Sequence, residues 1–295
     1  MKKKLYLFLS LLIVCTIFAG CGTSSSAGSS SGSSSSSSAA TDPAKDTKDI
    51  TADIKKNDTI SATLPSSVKT AGKITIGVDD SYPPMEFRND TNTLVGFDVD
   101  FGNALGKKLG VKVEWVPTQW DGIIVALKAS KFDMILSSLS DTAEREKEIT
   151  YSKPYIQGGP VIVVKKGTKG ITKAEDLKGK LVGVQKGTTG EDAIKQMGGY
   201  KNLTAYDKIT DALQDLGIGR TEAVVADDQV GRYYVGLASD KYEVVGKMNE
   251  EPFGIGFKKD NTALRDSVQQ AIDELKSDGT LSKISKKWFG IDYYK

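Results

Sequence analysis

The chain contains no histidine. That absence removes Ser-His-Asp triads, histidine zinc sites and imidazole pH switches together. Cysteine is almost missing as well: among 295 residues there are two, Cys15 and Cys21, both near the N-terminus. The rest of the chain has no thiol with which to form a disulfide, so a packed apolar core must supply its stability. No charge excess stands out either. The 40 Lys and Arg residues face 38 Asp and Glu, a formal net charge of +2 with the signs interspersed, and this leaves no nucleic-acid footprint. The one long apolar run, residues 5–18, is too short to span a membrane.

Lys2, Lys3 and Lys4 precede that run. A basic start and a short apolar centre predict a secretion signal. It ends at Phe18-Ala19-Gly20-Cys21. Small residues directly before a cysteine resemble a lipobox, the site at which bacterial lipoproteins are lipidated and cut, with Phe18 where leucine is usual. The resemblance implies removal of residues 1–20 and a lipid on Cys21; the alternative is an ordinary signal cut elsewhere. Residues 22–40 are nearly all Ser, Gly and Ala, a composition that cannot bury a core and behaves as a flexible tether. The polar segment that follows, to about Ile60, has no clear periodicity, so lipidated cysteine and disordered tether are expected over 21–63. The expected location is outside the cell, anchored by lipid to the outer face of the membrane.

From residue 64 onward strands and helices alternate. Strands are predicted at 74–78, 111–115, 132–136, 161–164, 181–184, 203–206, 223–225 and 254–257, and helices at 97–109, 122–129, 174–178, from Glu191, 209–216, 228–237 and 261–276, with a last short helix reaching Trp288-Phe289. This alternation argues α/β architecture, and its two sets suggest two lobes, with no sequence repeat between them. The expected division places 64–160 and 253–295 in one lobe and 161–252 in the other, joined by a two-strand hinge where the chain crosses near 158–162 and 250–254.

Several short motifs then follow one another in a specific order: Gly77-Val78-Asp79-Asp80-Ser81-Tyr82-Pro83-Pro84-Met85-Glu86-Phe87, Gly96-Phe97-Asp98-Val99-Asp100, Trp120-Asp121-Gly122-Ile123-Ile124, Ser137 through Arg145, Gly187-Thr188-Thr189-Gly190, Asp278-Gly279-Thr280 and Lys287-Trp288-Phe289-Gly290. In this order and spacing they resemble the amino-acid substrate-binding proteins of ABC importers, extracellular solute-binding protein family 3, from about Leu64 to the end. The resemblance implies a two-lobed periplasmic-binding-protein fold, two α/β lobes on a two-strand hinge that close over one amino acid.

The residues support such a site by their own chemistry. A zwitterion taken out of water needs both of its charges matched, since an unpaired buried charge costs several kcal/mol. Arg145 is the candidate for the α-carboxylate, because a guanidinium fork matches a carboxylate. Its charged run, Glu144-Arg145-Glu146-Lys147-Glu148, also fits a solvated helix; the preceding strand and serine turn weigh against that. Thr189 stands where a glycine-containing turn opens a helix, a place suited to anions. Thr188 and Glu191 have capping-box spacing, so a plainly capped helix is the alternative there. The resemblance further implies that Asp227 holds the α-ammonium, where a helix N-cap is the alternative, that Ser138 and Ser140 complete the shell, and that Asp79 meets the polar end of the ligand. Tyr82 and Trp120 are expected as apolar walls at strand ends rather than as core. Asp80 and Glu86 read as a solvated acidic loop, and Gln157 and Gln185 lie within reach.

The expected ligand is a free amino acid of the arginine, lysine, histidine, glutamine or cystine class, passed to an ABC permease in the membrane. No catalytic residue, cofactor, metal or nucleic acid is expected. Two other functions stay open: a ligand-sensing partner of a receptor, and an exported enzyme of the dehydratase or lytic transglycosylase kind. An enzyme needs a pocket acid with a raised pKa, for which Glu86 and Glu222 are the only candidates.

Overall fold

A computed structural model describes residues 42–46 and 48–295. The predicted signal, Cys15, Cys21 and the Ser/Gly tract lie outside the described residues. Two five-stranded sheets carry the fold. In the first the order is Lys112–Pro117, Lys73–Val78, Met134–Ile135, Gly256–Lys258, Ile149–Tyr151; in the second it is Asn202–Tyr206, Leu181–Gln185, Ala223–Asp227, Pro160–Lys165, Tyr242–Lys247. Each sheet has three parallel strands followed by two antiparallel ones. The two lobes therefore share one topology that the sequence does not display as a repeat.

Each sheet also turns back on itself. From Lys73–Val78 the chain goes first to Lys112–Pro117 on one side and then to Met134–Ile135 on the other. From Leu181–Gln185 it goes first to Asn202–Tyr206 and then to Ala223–Asp227. Such reversals open a crevice at the carboxyl ends of the strands flanking them, where open α/β sheets bind ligands. Asp79 and Ser137 follow the flanking strands of the first crevice, and Gln185 and Asp227 end those of the second.

Between the lobes run two short strands, Ile156–Gly158 and Glu251–Phe253, paired antiparallel with Glu251 opposite Gly158 and Phe253 opposite Ile156. Gly159 follows at φ 115°, a conformation that disfavours any side chain, and a Cβ there would stand 2.5 Å from the Asn249 carbonyl oxygen.

Local sequence explains the main helices. Phe97–Leu109 has Asp98 and Asp100 in its first turn, Lys107 and Lys108 in its last, and a left-handed Gly110 at its end, all of which suit the helix dipole and termination. Its Phe97, Phe101, Leu105 and Leu109 are fully buried against Ile74 and Ile76 of the sheet and Leu264, Val268 and Ile272 of helix Thr262–Ser277. The second lobe packs Ile162, Val164, Val182, Val184, Ile194 and Val225 into a separate cluster.

The sequence pattern and the structure differ in three places. A three-stranded antiparallel hairpin, Ser81–Tyr82, Glu86–Arg88 and Leu94–Val95, was not expected, because strands of two or three residues have no periodicity to show. The strands Ile149–Tyr151 and Tyr242–Lys247 extend the sheets beyond the elements anticipated. The third difference corrects the tether boundary. Packed chain begins upstream of residue 64: Asp58–Thr63 is a helix capped by Asn57, whose side chain accepts from the Ile60 N–H at 3.1 Å. Ile60 is buried, the Asn57 N–H donates to the Lys108 carbonyl at 2.8 Å, and the Asn57 side chain also bonds Glu274. Ile50 with Ile54 and Ile60 with Leu64 are two isolated pairs at helical spacing, too few for a sustained stripe, but each meets the apolar surface of the first lobe.

Ile60→Ala is accordingly expected to lower unfolding stability by about 2–3 kcal/mol in urea titration. A loss under about 0.5 kcal/mol would return this segment to the tether.

Candidate functional site

The two crevices face each other across a narrow, nearly closed cavity, with free volume of about 10 Å³, lined by Tyr82, Glu86, Trp120, Ser137, Ser138, Ser140 and Arg145 from one lobe and Gln185, Thr188, Thr189 and Asp227 from the other. Seven of the eight sequence-derived ligand candidates are therefore together. The eighth, Asp79, is buried beside the cavity, outside its lining.

Arg145 sits in the one-turn helix Ala143–Glu146, started by Thr142, whose hydroxyl accepts from the Arg145 N–H at 3.2 Å. It is half-buried, not part of a solvated face. Its Nη1 donates to the Ser140 carbonyl at 3.1 Å and its Nη2 to the Gly187 carbonyl at 3.2 Å, and its guanidinium lies 5.4 Å from the Trp120 ring centroid. Trp120 Nε1 donates to the same Gly187 carbonyl at 3.0 Å. The guanidinium thus meets two neutral carbonyls, both weaker partners than a carboxylate.

Asp227 occupies the N-cap position of helix Asp228–Leu237, but its side chain makes no cap hydrogen bond. Its Oδ2 instead accepts from the Tyr82 hydroxyl at 2.8 Å across the cleft. Burial raises its pKa to about 7, against the lowering effect of Tyr82. Asp79 is bound at both oxygens: Oδ1 accepts from the Ser81 N–H at 3.1 Å and hydroxyl at 2.6 Å, and Oδ2 from Gln185 Nε2 at 2.6 Å. Burial pushes its carboxyl up too.

The serine turn is held from below. Ser138, at φ 46°, donates its N–H to Asp98 Oδ2 at 2.8 Å, while its hydroxyl has no partner. Ser137 Oγ accepts from the Asp79 N–H at 3.0 Å and donates to Glu86 Oε1 at 2.8 Å. Ser140 bridges to Phe253 beside the hinge, and its carbonyl also accepts from the Tyr151 hydroxyl at 3.2 Å. In the second lobe Thr188 is the cap: its Oγ1 accepts from the Glu191 N–H at 3.2 Å, and Glu191 Oε2 accepts from the Gly187 N–H at 2.7 Å. Thr189 Oγ1 donates to Glu251 Oε2 at 2.7 Å, so the hydroxyl is turned towards the hinge.

Some expectations need correcting. Glu86 is not in a solvated loop. It is 1% exposed, because the hairpin folds its carboxyl inward onto Asp98, and it lines the cavity floor. Asp80 stays near the surface, paired with Arg88 at 2.6 Å. Gln157 is exposed and its carbonyl accepts from Gln229 at 2.7 Å, away from the cavity. Glu222 precedes strand Ala223–Asp227, at the opposite end from Asp227, and binds the Leu181 N–H at 2.9 Å. Among lining residues, Ser137 and Thr188 were not anticipated as such; their places one residue from Ser138 and Thr189 were the available signal.

Known proteins bear on this geometry. Residues 74–291 match the family described as bacterial extracellular solute-binding proteins, family 3. The chain is 36% identical over 232 residues to the L-cystine-binding protein TcyJ of Escherichia coli K12, covering 78% of this chain and 87% of that protein. It is 31% identical over 233 residues to ABC transporter arginine-binding protein 1 of the same organism, covering 77% and 95%. Among solved structures, an ancestral arginine-binding protein bound to arginine superposes with a TM-score of 0.72 at 42% identity, covering 74% of this chain and 99% of that one. With its two like-patterned lobes, paired hinge strands and interlobe cavity, the chain belongs to the bacterial extracellular solute-binding proteins, family 3.

Proposed function

We propose that the protein is the extracellular substrate-binding component of an ABC transporter, that it captures a free polar or basic L-amino acid between its lobes, and that it delivers the ligand to a membrane permease from a lipid anchor on Cys21. The observation that carries this is the meeting of Arg145 and Asp227, from different lobes, in one cavity walled by Trp120 and Tyr82. Opposite charges at a ligand's two ends need such a pair, and a neutral or singly charged solute does not.

In this reading the α-carboxylate replaces the carbonyls of Ser140 and Gly187 on the Arg145 fork. The Ser138 hydroxyl, buried without a partner, is available to the same group. The α-ammonium meets Asp227 and draws it to the charged form. The side chain points along the aromatic walls towards Glu86, with Asp79 and Gln185 behind. Three acids around the cleft favour a basic side chain, in keeping with relatives whose names specify arginine. Contacts across the cleft, Tyr82 with Asp227, Asp79 with Gln185, and Lys186 with Asp121 at 2.7 Å, favour the closed arrangement. A ligand that touches both lobes shifts the population further towards it. No bond in the ligand is broken.

A thermal-shift panel of the twenty amino acids with ornithine and cystine tests the reading. Ligand at about 100 times its Kd adds about 2.7 kcal/mol of stability, and a flat response across the panel overturns it. Arg145→Ala is expected to weaken binding of the best ligand by about 3–5 kcal/mol, roughly two to four decades in Kd by calorimetry; a change under about threefold removes Arg145 from the site. Asp227 predicts a pH trend in the ligand-free protein. Its folded pKa, about 7, lies above the ordinary 3.8, so the folded state holds the extra proton and stability falls as pH rises between those values. The melting midpoint is expected to be higher at about pH 5 than at about pH 8, and Asp227→Asn should shrink the difference. A midpoint that rises with pH contradicts a buried, protonated Asp227.

A further inference from the structure

Glu86 and Asp98 are 1% and 0% exposed, and their side chains lie side by side beneath the serine turn, Glu86 bound by Ser137 and Asp98 by Ser138. Among the described residues neither has a cationic partner. Glu86 Oε1 accepts from Ser137, and Asp98 Oδ2 accepts from the Ser138 N–H and from the Tyr155 hydroxyl at 2.9 Å. The remaining oxygens, Glu86 Oε2 and Asp98 Oδ1, have no donor. Two bare carboxylates cannot face each other in a buried site, but a single proton between them satisfies both oxygens. The donors decide its place. Asp98 has two and sits in the first turn of helix Phe97–Leu109, where the helix dipole favours charge, so Asp98 keeps the charge and Glu86 the proton. Burial and the adjacent Asp98 accordingly push the Glu86 carboxyl well above the ordinary range.

The other groups around the pair reinforce this. Asp79 approaches from the segment before the hairpin, Tyr82 from the hairpin's first strand, Tyr155 from beside the hinge, and Tyr294 from the C-terminal segment. None of these carries positive charge. Across the cavity the lining groups are Arg145, held by its two carbonyls, and Asp227. A ligand's side chain is therefore the cation that the floor lacks.

We propose that capture of a cationic side chain is coupled to release of the single proton shared by Glu86 and Asp98, so that the pair discriminates cationic from neutral ligands through a proton. The Glu86 O–H bond breaks, its electron pair stays on the carboxylate, and the proton leaves to the solvent. A neutral side chain leaves the proton in place. This rests on the reading that an amino acid lies in the cleft with its side chain towards Glu86.

Calorimetric titration at about pH 7 in phosphate and in Tris, whose ionisation heats differ, counts the protons. The ligands are arginine and citrulline, its neutral isostere. Both displace the Asp227 proton through the α-ammonium, so only the difference between them reports on Glu86. Arginine is expected to release about one proton more than citrulline, and its affinity relative to citrulline to rise by about tenfold per pH unit while the empty pair stays protonated. In Glu86→Gln both differences vanish. If that variant does not fold, by circular dichroism, the wild-type difference alone decides; if citrulline binds too weakly to fit, the arginine count in wild type minus that in Glu86→Gln decides. Equal proton counts overturn the coupling. Failure of arginine, lysine and ornithine all to bind overturns instead the reading of the cleft on which it rests.

Discussion

Withdrawal of charge from water is the constraint around which this molecule is arranged. Every ionisable group at the centre has its charge opposed or its proton retained. Arg145 leans on two carbonyls and an indole face, Asp227 on a tyrosine hydroxyl, and Asp79 on a serine and a glutamine amide. Neutral dipoles serve in each case. They hold the groups in place without neutralising them, which leaves the full charge interaction to whatever enters the cavity.

The shared sheet order explains how two unlike sequences build one site. Each lobe offers the same crevice at the carboxyl ends of parallel strands, and each hinge strand leads directly into an antiparallel strand of one sheet: Ile156–Gly158 into Pro160–Lys165, and Glu251–Phe253 into Gly256–Lys258. The hinge is thus continuous with both sheets, and a rotation about it would carry Gln185 and Asp227 together relative to Ser137 and Arg145. Thr189 bonded to Glu251 links the cavity-lining turn of the second lobe to that same hinge.

Much of this was legible in the sequence. Helices Phe97–Leu109 and Thr262–Ser277 repeat apolar residues at helical spacing, and strand Pro160–Lys165 carries an unbroken β-branched run, so local pattern and tertiary burial agree. Arg145 and Asp227 were legible from their places after strands. Glu86 was not, because its burial depends on a hairpin of very short strands and on Asp98, twelve residues further along and on another element. Glu222 misled for the opposite reason. It borders the same strand as Asp227, and only the polarity of that strand in the sheet separates a crevice residue from one at the far edge. The segment from 42 to 63 has too few apolar residues for a pattern, and it packs because a neighbouring surface accepts them one at a time.

The carbonyl of Gly187 has a consequence of its own. It accepts from both Trp120 and Arg145, so a backbone atom of one lobe partners the guanidinium of the other. Under the proposed function, a carboxylate reaching Arg145 would exchange places with this internal surrogate instead of filling a bare fork. The gain on loading is the difference between an ionic and a neutral acceptor, smaller than the whole ionic bond. On unloading, the surrogate would return and spare the guanidinium from standing unpartnered. An internal stand-in of this kind would keep retention moderate, which suits the proposed role, since a carrier works best when letting go is never much harder than taking hold.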